Sequence, residues 1–233
     1  DTTRKTTERT GFGLNEAQLG RPKLSVAIVG ENEVARGFAR ALAAAGHDVR
    51  AIGLPQDGPL ERLAFADLVI FALGGSALTD VIAEFTARDL WTPGQMVAHT
   101  AGEFGYSVFA PAVACGVIPL AIHPAMRFTD SEADQQAIRE AYFAVAAPEV
   151  ALPIAQALVI EIGAEPIVIA ESNRKTYFEA WSVAHDFSIL VVNQAIGLLN
   201  EIGVIDPRGL LGPVVRASVE EALDNGHRDF DDL

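Results

Sequence analysis

The chain has 233 residues, half of them hydrophobic, with 21% charged and 7% aromatic side chains. That length holds one large domain or two small ones, and that apolar fraction is enough for a sizeable core. A formal net charge of −14 repels phosphate backbones and excludes nucleic acid as the expected partner.

Residues 1–23 carry five Lys/Arg and three Asp/Glu, a surplus of +2, which leaves −16 for the remainder. They lack hydrophobic periodicity and read as an N-terminal tail. No apolar run follows Asp1–Lys5, so no signal peptide is expected. No stretch reaches the roughly 18 apolar residues that span a bilayer. The single cysteine, Cys115, allows no intrachain disulfide and reads as a packing thiol among small apolar neighbours. The expectation is a cytoplasmic protein without membrane contact.

From Leu24 the chain alternates. Leu24–Val29 is a short apolar run closed by Gly30, as in a buried parallel strand. Val34–Ala45 spaces its apolar residues for one helix face and ends at Gly46. His47–Ile52 is the next strand. Residues 53–65 leave room for one helical turn near Leu60–Phe65. Asp67–Leu73 is a strand, Gly74-Gly75-Ser76 turns it, and a helix spans Ala77–Ala87. A strand at Gln95–Thr100, a helix at Val108–Cys115 stopped by Gly116, and a strand at Val117–Ile122 follow. Tyr142–Ala147 reads as a strand, Glu149–Ile162 as a helix closed by Gly163, and Pro166–Ile169 as a strand. Strands alternating with helices imply a parallel, doubly wound α/β sheet.

The pattern changes near 170. One long helix is expected from Ser172 to Ile202, stopped by Gly203, and a second from Pro207 to Asn225. An acidic tail, Asp229–Leu233, closes the chain. The domains are therefore a 1–23 tail, a 24–170 sheet domain and a 171–233 helical domain.

The first strand–turn–helix carries the chemistry of a dinucleotide site. Such a Rossmann-type turn wants G-x-G-x-x-G, for a tight turn, close approach of the pyrophosphate and close helix packing. Here the run is Gly30-Glu31-Asn32-Glu33-Val34-Ala35. Only the first glycine is present, Asn32 can adopt positive φ, and Ala35 is a tolerated third residue. Glu31 and Glu33 would set two carboxylates beside the pyrophosphate. No Arg or Lys follows Ile52 to take a 2′-phosphate, and Asp57 is the acid available to a ribose hydroxyl. The cofactor is thus NADP or NAD, held by residues 30–34 (Gly30, Glu31, Asn32, Glu33, Val34), by Leu73, Gly74, Gly75 and Ser76, and by Thr100.

Ligands of open α/β sheets bind beyond the carboxyl ends of the strands. His99 and His123 each follow a strand, and are expected at that edge for proton transfer near neutral pH or as strand-end caps. On the long helix, Lys175, Glu179, Ser182 and Asp186 share one polar face. Tyr177 is a further candidate for donating to a substrate oxygen. A metal would need a third ligand beside the histidines, which His185 or Asp186 could supply. No H-x-x-x-H or C-x-x-C spacing supports one, so no metal site is expected. Hydrolase and kinase signatures are absent from the sequence.

Four segments then come in a familiar order: Val26–Ala45, His99-Thr100-Ala101-Gly102-Glu103-Phe104-Gly105, Ile122-His123-Pro124-Ala125-Met126-Arg127-Phe128, and Asn173–Tyr177. Together they resemble Rossmann-like proteins with a C-terminal domain of unknown function 2520. That group is similar to the 6-phosphogluconate dehydrogenase-like superfamily, which includes ketopantoate and pyrroline-carboxylate reductases. The resemblance implies an NADP-type Rossmann domain, a helical dimerisation domain and an oxidoreductase acting on a small polar metabolite. It also implies that a lysine on the long helix, here Lys175, acts as acid or base. The sequence departs from the pattern at the glycine turn, at Ala101 for a Ser, at Phe178 for a His and at His185-Asp186 for Ser-Asn. A second function fits these departures: a non-catalytic or ligand-sensing protein that has lost its cofactor site. The apolar faces of the two C-terminal helices, with Ile189, Leu190, Val191, Leu198 and Leu199, invite a second copy, so a homodimer through 172–225 is expected.

Overall fold

All five residues of β1 (Ser25–Val29) are buried, and none is charged. The strand lies second in a seven-stranded sheet of order β2-β1-β3-β4-β5-β6-β7. This computed structural model describes residues 23–53 and 65–226. Residues 1–22, Asp57, the helical turn expected at 60–65 (Phe65 apart) and the acidic C-terminus lie outside the described residues.

β2 (Asp48–Gly53), β1, β3 (Leu68–Phe71), β4 (Met96–His99) and β5 (Ile118–Pro124) pair in parallel. Alternation along each strand sends side chains to two layers. Val26 and Ile28 face a cluster that includes Phe38 and Leu42 of α1 (Glu33–Ala44) and Ala155 and Val159 of α5 (Leu152–Glu161). Ala27 and Val29 face a second cluster, with Leu78, Ile82 and Phe85 of α2 (Gly75–Ala87) and Ala112 of α3 (Ala110–Val113). Phe71, Phe85, Trp91 and Phe109 pack edge-on or tilted there, with centroids 5.0–6.4 Å apart. The chain runs from β1 toward β2 on one side and returns to β3 on the other. The order therefore reverses between β1 and β3, which opens a crevice at their carboxyl ends.

The sheet is not wholly parallel. β6 (Tyr142–Ala146) runs antiparallel to β5, with Ala121 opposite Ala146, and β7 (Glu165–Val168) then runs parallel to β6. The connection from β5 never recrosses the sheet. The Ala125 N–H donates to the Tyr142 carbonyl at 2.9 Å. α4 (Ala133–Glu140), which the sequence reading did not anticipate, is tied back through Asp134 to Thr129 and Asp130. Two smaller boundaries also shift. α2 begins at Gly75, and the expected 108–115 helix is a 3-10 turn (Tyr106–Phe109) running into α3.

The chain divides between Glu171 and Ser172. The second unit holds α6 (Arg174–Ser182), a π-helical segment (Val183–Phe187), α7 (Ser188–Glu201) and α8 (Pro207–Asn225). The expected single helix over 172–202 is therefore interrupted, because a π turn takes an additional residue and resets the side-chain phase. α8 starts where Asp206 accepts from the Gly209 N–H at 2.9 Å and Pro207 occupies the first turn. The helical run Glu171–Glu201 has a mean hydropathy of 1.3 over an 18-residue window, long and apolar enough to cross a membrane by that measure. This corrects the expectation of no such stretch, which counted uninterrupted apolar residues. Such a single helix is weak evidence for a span.

Candidate functional site

The crevice begins with Gly30, whose φ of +144° suits glycine. A Cβ there would lie 2.6 Å from the Ala72 carbonyl oxygen, so β1 and β3 approach too closely for any side chain. Gly30 N–H donates to the Gly53 carbonyl at 2.9 Å. Asn32 caps α1: its Oδ1 accepts from the Ala35 N–H at 2.9 Å, and its Nδ2 donates to the Ala72 carbonyl at 2.8 Å. Its backbone is extended, at φ −87°, rather than left-handed as expected. An N-cap takes β-region angles so that its side chain can reach the N3 amide, and that demand sets the conformation here. Glu31 and Glu33 are exposed on either side of it, and Val34 is half-buried.

Across the crevice, Leu73 is half-buried and Gly74, Gly75 and Ser76 are exposed at the start of α2. The Gly75 N–H is taken by the Glu103 carboxylate at 3.0 Å. Thr100 is buried, its N–H on the Phe71 carbonyl at 3.1 Å. His99 is the last residue of β4, not the residue after it, and is 0% exposed. Its Nε2 lies 2.9 Å from the Gly105 carbonyl, so that nitrogen carries the proton and donates. His123 lies within β5 and is 6% exposed. His99 is in register with Ala121, so His123 lies two residues further along, on the same sheet face. The structure thus brings both histidines to one face of one sheet edge.

The loop between them has two further anchors that the sequence reading missed. Glu171 accepts from the Tyr106 and Ser107 N–H groups at 3.0 and 3.1 Å. A Cβ on Gly105, the second glycine of the H-T-x-G-x-x-G run, would overlap that carboxylate, so a side chain there would require Glu171 to move. Glu103 and Glu171 gave no local signal, since each reaches its partners across 28 or more residues of sequence. Gly37, a glycine inside a helix, did offer one. A Cβ there would overlap the Phe128 ring, so the glycine marks a close approach.

Three carboxyls of this unit are held below the usual carboxylate range. Asp130 is lowered by hydrogen bonds from Arg40 and Arg36. For Asp134, burial pushes upward, but hydrogen bonds from the Thr129 side chain and from the Thr129 and Asp130 amides outweigh it. Asp67 is lowered by the Ser25 hydroxyl and amide.

Lys175 and Tyr177 belong to the second unit. Lys175 is exposed. Burial pushes the Tyr177 phenol up to about 12, against the opposing charge of Arg174, whose guanidinium lies 5.9 Å from its ring centroid. In the same unit His185 stacks on Trp181 at 5.0 Å and bonds Asp186 through Nδ1 at 2.8 Å. Among the described residues no three His, Cys, Asp or Glu side chains are grouped to hold a metal.

Residues 55–124 match the family model of a Rossmann-like domain, and residues 141–230 match that of a domain of unknown function, DUF2520. No curated protein sequence matches the chain. Solved structures similar to it include a candidate NADP oxidoreductase from Bacteroides fragilis, at a TM-score of 0.68 and 17% identity, covering 86% of this chain and 80% of that one. A pyrroline-5-carboxylate reductase from Coxiella burnetii matches with a TM-score of 0.59 and 13% identity, over 89% of this chain and 82% of that one. A semialdehyde dehydrogenase NAD-binding protein from Cupriavidus necator, in complex with calcium and NAD, matches at 0.60 and 15%, over 90% and 87%. At these identities the likeness speaks for the fold. The chain thus combines a Rossmann-like domain with a DUF2520 domain, in a fold whose solved neighbours include nicotinamide-dependent oxidoreductases.

Proposed function

We propose that the chain is an oxidoreductase that uses NADP or NAD to reduce or dehydrogenate a small polar metabolite. The observation that carries this reading is the Gly30 turn at the β1/β3 crevice, where the backbone passes so close to Ala72 that α1 opens directly onto the carboxyl edge. That backbone fits a dinucleotide, with the first turn of α1 supplying amides and a positive dipole end. Residues 30–34, Leu73–Ser76 and Thr100 would hold it, and the bound nicotinamide would supply the hydride chemistry.

The chain's own residues would then handle protons and position. His99 has its Nε2 proton on Gly105 and acts by shaping the 100–107 loop. His123, on the same face, is the better candidate for proton transfer in this unit. Tyr177, its phenol pushed up to about 12 by burial, stays protonated at neutral pH and can give a hydrogen bond to a substrate oxygen. Lys175 is exposed on α6, where a ligand could reach it. The reading is tested by NADPH and NADH oxidation with a panel of 2-oxo acids, aldehydes and cyclic imines. Turnover of any one supports it, and a His123→Gln variant should then lose about a hundredfold in kcat.

A second reading has its own observation. Glu31 and Glu33 set two exposed carboxylates on the turn, and Asn32 and Glu103 already occupy one amide on each flanking helix. A ligand-sensing protein that has lost its cofactor site would show this arrangement. It predicts no dinucleotide binding at all.

We also propose a cytoplasmic homodimer formed through α7 and α8. Within their unit, Leu190, Val191, Leu198 and Ile202 of the first arm and Leu210, Val214 and Leu223 of the second are more than half exposed. Large apolar side chains exposed in this number favour cover by a second copy. A monomer by light scattering at micromolar concentration would end this proposal.

A further inference from the structure

We infer that Arg36 is a positioning residue for the 30–34 turn, coupling it to the loop that follows β5. The inference rests on the reading of that turn as the cofactor seat. Arg36 lies in the first turn of α1 and its guanidinium donates in two directions: NH1 to the Glu31 carbonyl and Nε to the Asp130 carboxylate. Asp130 is held in turn by Arg40 NH1 at 2.6 Å, and Arg40 NH2 reaches the buried Asp134 at 3.2 Å. Asp134 fixes the loop from within, accepting from the Thr129 hydroxyl at 2.7 Å and from the Asp130 amide at 3.0 Å. Phe128, from the same loop, lies against α1 where Gly37 leaves room, with its centroid 6.2 Å from that of Phe38.

This arrangement assigns work to two features that the catalytic reading leaves idle. The H-P-A-M-R-F run ends in the ring that seats the loop on α1. The turn lacks the second and third glycines, and its Glu31 carbonyl is pinned from outside by a side chain. A guanidinium is planar, with donors in a fixed fork, so a shift of Asp130 is transmitted to the carbonyl on the other side. A lysine has one point charge and cannot hold both partners in one plane. Each bond alone would be a weak surface contact. It is the shared guanidinium that makes the turn and the loop one unit.

The test uses the full chain and the variants Arg36→Met, Arg36→Lys and Asp130→Asn, with Arg88→Met as a control that removes a comparable exposed pair with Glu84 on α2. Amide hydrogen exchange is read at residues 35 and 36, whose N–H groups are held by the Asn32 side chain and carbonyl, and at 127–132, and NADPH affinity by titration. The expected result is that Asp130→Asn, which lies outside the turn, speeds exchange at residues 35 and 36 by about tenfold. Arg36→Met should do the same and raise the NADPH Kd by roughly tenfold or more, with the melting temperature no lower than that of Arg88→Met. Arg36→Lys should recover less than half of either effect. Exchange at residues 35 and 36 that stays at the wild-type rate in Asp130→Asn overturns the coupling, as does full recovery with Arg36→Lys. If the wild type binds no nicotinamide cofactor, the oxidoreductase reading fails, and the exchange data alone still decide whether Arg36 couples turn and loop.

Discussion

Val26, Ile28, Leu68 and Val69 of the sheet unit have no solvent exposure, whereas Leu190, Val191 and Leu198 of the helical unit are 58–61% exposed. Both regions are apolar in sequence. In the first, β1 and β3 are covered on two faces by helices of the same unit and are buried along their length, while the edge strand β7 leaves Ile167 and Val168 exposed. In the second, α7 and α8 leave large apolar side chains exposed, among them Leu190, Leu198, Leu210 and Val214. The lesson is that apolar content fixes where a chain must be covered, not by what. The inner strands of the sheet unit are covered from within it, and the exposed apolar side chains of the helical unit are what the proposed dimer would cover.

The sharpest way to break that comparison is at the strand crossing. Gly30→Ala forces a Cβ against a backbone carbonyl at positive φ, and should cost about 2–4 kcal/mol and abolish cofactor binding. Chemical denaturation and a dinucleotide titration would read both. Next comes a matched pair of substitutions. Phe71→Ala, in the aromatic layer, should cost about 3–4 kcal/mol at every protein concentration. Leu190→Asp should leave a folded sheet unit by near-ultraviolet circular dichroism and convert the dimer to monomer in sedimentation. A concentration-independent loss from Leu190→Asp would contradict the contrast.

Asp134→Asn should cost about 1–3 kcal/mol at neutral pH, because the Thr129 and Asp130 amides and Arg40 lose a charged acceptor. The carboxyl is lowered from its ordinary 3.8 in the fold. Its contribution is therefore present above that value and lost as pH falls through the lowered one. Melting temperature followed from about pH 6 down to about pH 3 should fall more steeply in the wild type than in the variant. The smallest effect expected is at the exposed carboxylates of the turn. Glu31→Gln and Glu33→Gln should each tighten NADPH by only a few-fold, an effect that fades above about 0.3 M salt.

Much of the fold was legible because burial leaves a local trace. β1, β3 and β4 are apolar runs, and Gly46, Gly116, Gly163 and Gly203 end their elements with positive φ. α4 left almost no trace, since Ile138 is its one buried apolar residue. The antiparallel direction of β6 was unreadable, because alternation along a strand is the same in either direction. The π segment is likewise silent in the apolar pattern. At the site, Gly30 announced itself through its residue type. The Asn32 cap, the Glu103 and Glu171 anchors and the Arg36–Asp130 link did not, because each depends on a partner distant in sequence or on a conformation that only the folded turn selects.

The central claim is that the turn beginning at Gly30 seats a nicotinamide dinucleotide. Isothermal titration of the purified chain with NADPH, NADH, NADP and NAD tests it most directly. The account predicts micromolar binding of at least one, lost in Gly30→Ala. No heat of binding for any of the four at millimolar concentration would contradict it and leave the ligand-sensing reading in its place.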